Sequence, residues 1–336
     1  MVLPKKLFLN SSQVKQACVS GGSGFVGKRL LEQLLREGFL VRVLTHNRKQ
    51  SFPKGVQIFY ADLTSTTCNL KKFFSGCDVF FHCAGNIKNP EHMHALHVDG
   101  IKRLLKAFSY EVTLTGHPIH WVQLSSVGVY GNSINNPAKV RKISELSRTH
   151  PFGEYEVTKA KADILLLEAA KSAAFTYSIL RPSNIVGIGM PNQSFRLLLE
   201  SIIKRHFFYI GSIHSVSNYV HVDDVVSALF LCSRSSSAVN QIFNLSNDCK
   251  LSDIVLSLSL DKKMKHKRII FPEWLVRFIV GVTSNFFKLP LTQNRVDMLV
   301  SRTYYPNAKI KRLLRFSPKK STPEFAVEYM KAVLEN

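Results

Sequence analysis

Residues 155–159 read YEVTK, so a phenol (Tyr155) and an ammonium (Lys159) stand four residues apart. On a helix those two side chains share a face. A free phenol titrates near pH 10 and is a poor base at neutral pH, at about that pKa. A neighbouring ammonium favours phenolate, and a phenol so placed can exchange a proton with an alcohol or ketone oxygen. Upstream, QLSSVGVYG (123–131) supplies Ser126, whose hydroxyl can bond the same oxygen. A Tyr-x-x-x-Lys pair alone is common on surface helices, so its weight depends on its surroundings.

Those surroundings contain a glycine-rich loop, SGGSGFVG (20–27), with Gly21, Gly24 and Gly27 in G-x-x-G-x-x-G spacing. It follows an apolar run, QACVS, and opens a segment of helical period carried by Phe25, Val26, Leu30, Leu31, Leu34 and Leu35. In such a strand-turn-helix unit the glycines permit the tight turn and a close backbone approach. The helix N-terminus then offers N–H groups to a pyrophosphate. Gly21, Ser23, Gly24, Phe25, Val26 and Gly27 are therefore expected to hold a dinucleotide. The next strand ends VLTHNRK, with Thr45 where a carboxylate would bind a ribose 2′-hydroxyl and with Arg48 and Lys49 beyond it. A cation there attracts a 2′-phosphate, so NADP(H) is the expected cofactor and NAD(H) the alternative. Asp62 and Leu63 are expected near the adenine, and Ala84 and Gly85 against the cofactor.

The elements that must position these residues alternate. Strands are expected at 16–20, 40–45, 56–60, 78–83, 119–124 and 175–180, with helices over 24–36, 91–108 and 155–171. That alternation predicts an α/β fold, a Rossmann-type doubly wound parallel sheet with a smaller C-terminal substrate-binding domain. Residues 1–187 and 217–249 read as the dinucleotide-binding domain, with 218–222 and 241–244 as strands returning to the sheet. Residues 188–216 and 250–336 read as the substrate-binding domain.

The chain has 336 residues, a net charge of +22 and 45% hydrophobic residues. That apolar content excludes disorder as the main state. Six irregularly spaced cysteines exclude a disulfide scaffold and point to a reducing, cytoplasmic setting. The basic excess is densest after residue 249, where 17 basic side chains stand against 7 acidic ones.

In order along nearly the whole chain, SGGSGFVG, ADL (61–63), FHCAG (81–85), QLSSVGVYG, YEVTK, LRPSNIVG (180–187) and NYVHVDDVVSA (218–228) resemble the extended short-chain dehydrogenases/reductases of the NAD-dependent epimerase/dehydratase family. The resemblance implies that Tyr155 is the catalytic acid/base, with Lys159 its partner and Ser126 the donor to the substrate oxygen. It places Pro182 at the cofactor and Asn184 near substrate phosphates. It also implies a small-molecule substrate, with a nucleotide sugar as the first expectation and C4 epimerisation or 4-keto reduction as its reaction. A homodimer is a further implication.

Three departures qualify this. His97 stands where the family commonly has Asn. Ser217-Asn218 replaces an Arg-Asp pair that binds phosphate in sugar-nucleotide epimerases. The later phosphate-binding arginine motif is also missing, leaving Arg295 and Arg302 as substitutes. The missing arginine keeps a hydroxysteroid- or flavonol-type alcohol as the alternative substrate. A non-catalytic nucleotide-binding subunit is the alternative of another class, and the intact Ser126, Tyr155 and Lys159 argue against it.

The remaining constellations carry less. His92, His94 and His97 are read as exposed helix histidines, or one of them as facing the cofactor, with no metal site expected. Asp223-Asp224 reads as a helix N-cap and first-turn acid. The basic run 262–268 lacks interleaved aromatics, so nucleic acid is not an expected partner. Residues 269–291 are long and apolar but interrupted by Glu273, Arg277 and Lys288. They are expected to form half-buried lid helices, with peripheral membrane association as the alternative.

Overall fold

The computed structural model describes residues 15–87, 89–131, 139–172, 175–265, 268–283 and 291–334. Seven strands form the central sheet: β1 (Gln16–Ser20), β2 (Leu40–Thr45), β3 (Val56–Tyr60), β4 (Val79–His82), β5 (His120–Leu124), β6 (Thr176–Pro182) and β7 (Gln241–Leu245). Their order is β7-β6-β5-β4-β1-β2-β3, and every pairing is parallel. The chain runs β1-β2-β3 to one edge, then crosses back past β1 to continue as β4-β5-β6-β7. That places the switch point between β1 and β4, beside the glycine-rich loop. β4 and β5 are buried at every residue, as strands covered on both faces must be.

The helices are α1 (Phe25–Arg36), α2 (Pro90–His94), α3 (Gly100–Thr115), α4 (Glu154–Ser172), α5 (Ser194–Ile203) and α6 (Val222–Arg234). They continue with α7 (Leu251–Asp261), α8 (Glu273–Thr283), α9 (Gln293–Val300), α10 (Ala308–Leu314) and α11 (Thr322–Leu334). On one face of the sheet Leu30, Leu31 and Leu34 of α1, Leu229 of α6 and Ile310 of α10 pack on Val19, Val43 and Phe243. On the other, Phe108 of α3 and Leu166 of α4 pack on Phe80, Trp121 and Ile179. There Phe80 meets Trp121 edge to face, with ring centroids 4.6 Å apart at 84°.

Two corrections to the sequence reading arise here. Tyr219–His221 does not rejoin the central sheet. It pairs in parallel with Asn184–Val186, forming a separate two-stranded ladder past the end of β6. The helix expected over 91–108 is broken. α2 ends at His94, a π-turn spans Ala95–Asp99, and α3 begins at Gly100. Within that turn His97 is buried, at 1% exposure.

Beyond the sheet two smaller apolar clusters form. Phe195 and Leu199 of α5, Ile254 and Leu258 of α7, and Phe325 and Met330 of α11 make one. Val276 and Val280 of α8 with Val296 and Val300 of α9 make the other. Phe25, at the start of α1, packs against both the sheet core and the α5–α7–α11 cluster. Residues 284–290 of the long apolar segment lie outside the described residues. Among those described, no helix is long and apolar enough to cross a membrane.

Candidate active site

The glycine loop is built so that three backbones touch. Gly21 has φ +78°, and a Cβ on it would strike the Ala84 nitrogen and the Cys83 carbonyl carbon. A Cβ on Gly27 would strike the Gly21 carbonyl oxygen. The exits of β1 and β4 and the first turn of α1 are thereby held together. Gly24 caps α1 without a side-chain bond, Ser23 and Gly24 are exposed, and no acidic residue sits in the first turn. The helix N–H groups thus face outward beside a side-chain-free cradle, which fits a dinucleotide pyrophosphate. Val26 is buried in the core beneath it.

The edge towards β2 and β3 carries the other cofactor candidates. Thr45 is buried, and its hydroxyl accepts from the Asn47 N–H at 3.2 Å. The Arg48 guanidinium lies over the Tyr60 ring, 4.9 Å from its centroid, exposed at the rim. Asp62 is exposed and spends one carboxylate oxygen on Thr64, bonding its N–H at 2.8 Å and its hydroxyl at 2.7 Å. Leu63 is buried, and its carbonyl accepts from Arg103. Ala84 is buried and Gly85 exposed at the end of β4. A Cβ on Gly85 would lie 3.4 Å from His97 Nε2 and 3.5 Å from Lys159 Nζ, so these two groups flank its Cα. Pro182 is buried as the last residue of β6.

Ser126 and Tyr155 stand at the same sheet edge. Of the serine pair after β5, Ser125 turns inward and Ser126 is half-buried at the surface of the site. Ser126 Oγ accepts from the Gly128 N–H at 3.0 Å. Lys159, in the second turn of α4, is 4% exposed and donates from Nζ to the Leu124 carbonyl at 3.0 Å. Burial holds its ammonium below the ordinary pKa, with Asp163 and Cys83 pulling back. Burial, then Glu156 and Asp163, push the Tyr155 phenol up to about 12, with the Ser126 hydroxyl opposing. The Lys159 charge is directed to the end of β5, and the phenol keeps its proton at neutral pH.

His97 binds three parts of the site together. Its Nε2 accepts from the Asn86 N–H at 2.9 Å. Nδ1 must then carry the proton, and it faces Thr158 Oγ1 at 2.8 Å. Thr158 donates in turn to the Glu154 carbonyl at 2.8 Å. Burial, aided by the Lys159 charge, drives His97 down to about 3, so it is neutral. Its ring meets Tyr155 edge to face, with centroids 5.8 Å apart.

Behind Lys159, one turn further along α4, lies Asp163 at 2% exposure. Its Oδ2 accepts from Ser125 Oγ at 2.8 Å and from Arg181 at 2.9 and 3.1 Å. Arg181 also donates to Tyr130 Oη at 2.9 Å, and Tyr130 donates to Asn244 at 2.9 Å. This network ties β5, α4, β6 and β7 together directly under the candidate acid/base pair. The Tyr155, Lys159, Asp163 periodicity was present in the sequence as YEVTKAKAD, and it is the signal by which Asp163 could have been found. Nothing local pointed to Arg181, Tyr130 or Asn244.

The proposed substrate contacts scatter. Asn184 is exposed and donates from its side chain to the Asn218 carbonyl at 3.2 Å. Arg295 lies in the first turn of α9, the helix whose Val296 and Val300 pack with α8. Arg302 is half-buried with its Nε unpartnered, and its carbonyl accepts from Arg141 at 3.1 Å. Arg141 in turn reaches the Gly131 carbonyl at 3.3 Å, at the end of the turn that Ser126 opens. Asn218 is occupied internally, donating to Asp248 at 2.7 Å and to the Thr303 carbonyl at 2.8 Å. Among the other constellations, His94 pairs with Asp99 at 3.4 Å, apart from the inward His97. The α6 cap is His221, whose ring accepts from the Asp223 N–H, with Asp223 and Asp224 in the first turn.

A parallel sheet in this order, a glycine cradle at its switch point and a Ser-Tyr-Lys set at its carboxyl edge define a nicotinamide-dependent enzyme of the oxidoreductase and isomerase class. Residues 17–246 match the model of the NAD dependent epimerase/dehydratase family, and the chain belongs to that family. It is 26% identical to mouse sterol-4-alpha-carboxylate 3-dehydrogenase, decarboxylating, over 91% of this chain and 88% of that protein. It is 27% identical to Arabidopsis thaliana anthocyanidin reductase over 67% of this chain and 74% of that one. Among solved structures it shares its fold with Thermotoga maritima UDP-glucose 4-epimerase, crystallised with UDP-glucose. The TM-score is 0.70 and the identity 20%, covering 95% of this chain and 99% of that one. The Bacillus cereus UDP-glucuronic acid 4-epimerase in complex with NAD gives a TM-score of 0.69 at 18% identity, over 95% and 99% of the two chains.

Proposed function

We propose that this protein is a dehydrogenase/reductase with an exchangeable nicotinamide cofactor, preferring NADP(H), that acts on a ring hydroxyl or keto carbon of a largely apolar polycyclic substrate. The observation that carries the substrate class is at 217–218. The expected phosphate-binding arginine is Ser217, and Asn218 is consumed by Asp248 and Thr303. Residues 188–216 and 250–336 would supply the substrate side of the site in this reading. The curated relatives named above act, by their names, on a sterol carboxylate and an anthocyanidin, which supports the same class. The Arg48 guanidinium on Tyr60 supports the NADP(H) preference.

Ser23, Gly24 and the first-turn N–H groups of α1 would hold the pyrophosphate, and Gly85 the nicotinamide half. The nicotinamide, when bound, supplies or accepts the hydride. Tyr155 Oη gives a proton to the carbonyl oxygen in reduction and takes it back in oxidation. Ser126 Oγ orients that oxygen and its hydroxyl opposes the rise in the phenol's pKa, while Lys159 holds its charge at the end of β5. With its pKa raised, the phenol is protonated at neutral pH, so the proton needed in the reductive direction is already on Tyr155.

A second reading is favoured by one observation. The unpartnered Nε of Arg302, beside Arg141, suits an anionic group and so a nucleotide sugar. Incubating the full chain with NADPH or NADH and either a 3-ketosteroid or a UDP-4-keto-sugar separates the two. The first reading expects multiple-turnover loss of cofactor absorbance with the steroid. Turnover of the UDP-sugar alone would overturn it in favour of the second.

A further inference from the structure

We infer that the outer face of α8 and the strand before it form a docking surface for an anionic phospholipid bilayer. α8 is apolar on two sides. Val276 and Val280 face inward, packed on α9. Trp274, Phe278 and Val282 recur every four residues along the opposite side, with Trp274 70% and Phe278 65% exposed. Ile270 and Phe271, paired as a short strand with Tyr209–Ile210 just before α8, add further exposed apolar side chains. Such a contiguous ridge costs solvation free energy in water and marks a site of contact.

The charge around the ridge selects the partner. Lys263, Lys265 and Arg268 are exposed immediately before it. Between residues 262 and 283 the sequence holds one carboxylate, Glu273, and it is bound by Arg277 at 2.8 Å. Arg277 also holds Asp297 at 2.8 Å, so this cluster carries a single net negative charge against the exposed cations Lys263, Lys265 and Arg268 before the ridge. A second copy of the chain docked through this face would bring cations onto cations. An anionic headgroup layer neutralises them, while its acyl boundary receives the aromatic side chains. The surface is independent of the reaction proposed above, and neither falls with the other.

The full chain is mixed with vesicles of phosphatidylcholine alone, or with about one third phosphatidylserine, at low and high salt, an anionic range typical of such assays. Pelleting is measured together with tryptophan emission and its quenching by brominated lipid. The chain's two tryptophans are Trp121 and Trp274, and Trp121 is fully buried, so Trp274 reports the change. Binding to the anionic vesicles at low salt, with blue-shifted and quenched emission, is the expected result. Trp274→Ser/Phe278→Ser should weaken pelleting at least about tenfold with an unchanged melting temperature, because both side chains are exposed. Neutralising Lys263 or Lys265 should weaken it about fivefold each at low salt. Absence of binding by the wild type at low salt, or equal binding by the double variant, overturns the proposal. So does a dimer that the double variant dissociates while vesicle binding is absent, which assigns the face to a second copy.

Discussion

Asp163→Asn removes one charge from the buried network under Lys159. The Asp163 and Arg181 side chains are 2% and 6% exposed and joined at 2.9 Å. Asn can still accept from Ser125 and Arg181, so hydrogen bonding is largely kept while the guanidinium loses its counter-charge. Leaving one buried charge unpaired costs about 3–5 kcal/mol. An unfolding entropy of about 2.1 cal/mol/K per residue gives roughly 0.7 kcal/mol/K for a chain of this length. The melting temperature should therefore fall by about 4–7 °C. Asp163→Leu/Arg181→Met removes both charges and should recover more than half of that loss, since a buried pair is worth little net. Circular dichroism melts at pH 7.5 measure all three. There is a functional consequence as well. Asp163 pulls the Lys159 ammonium up against burial, so its loss should move the alkaline limb of the pH–rate profile to lower pH. A single variant within about 1 °C of wild type, or a double variant no more stable than the single, would refute the reasoning, since the first is well below the shift expected.

Three other perturbations follow from the geometry. Gly27→Ala drives a methyl into the Gly21 carbonyl; it should abolish cofactor binding by calorimetry and cost about 1–3 kcal/mol of stability by urea unfolding. Arg48→Ala should weaken NADP⁺ binding about tenfold and leave NAD⁺ within about twofold, because only a 2′-phosphate needs the cation; equal losses for both would remove the NADP(H) preference. Burial holds His97 and His120 at about 3 against 6.5 unfolded. The unfolded chain then binds more protons, so stability falls as pH drops through 6.5 and keeps falling to about 3. Each histidine should cost on the order of 1 kcal/mol between pH 7.5 and 5.5, and His120→Asn should flatten that slope in urea titrations.

The alternating elements and the glycine loop were readable because both are local. The apolar runs of β1, β4 and β5 are continuous, as buried parallel strands must be, and Gly21 to Gly27 declare a turn of fixed geometry. The Tyr155–Lys159 pair was readable for the same reason, being set by helical period. What failed was pairing between distant segments. Nothing in NYVHV distinguishes a strand of the main sheet from one that pairs with Asn184–Val186 outside it. The π-turn at Ala95–Asp99 has no local signature either, although it holds the buried His97. His97 was noticed as a departure from the family pattern. Its clamp on Asn86 and Thr158 comes from tertiary packing. The direction of the phenol's pKa was not legible either: spacing shows Lys159 four residues away, whereas burial, the largest cause of the rise, comes from tertiary packing.

The central claim is that Tyr155 Oη carries the proton. Tyr155→Phe removes that oxygen alone and leaves the glycine cradle, Lys159 and His97 in place. Steady-state turnover should fall by about 10²–10⁴-fold, the usual weight of a positioned acid or base. Cofactor affinity by calorimetry should stay within about twofold, since no pyrophosphate contact is lost. Turnover equal to wild type, with cofactor binding intact, would contradict the account.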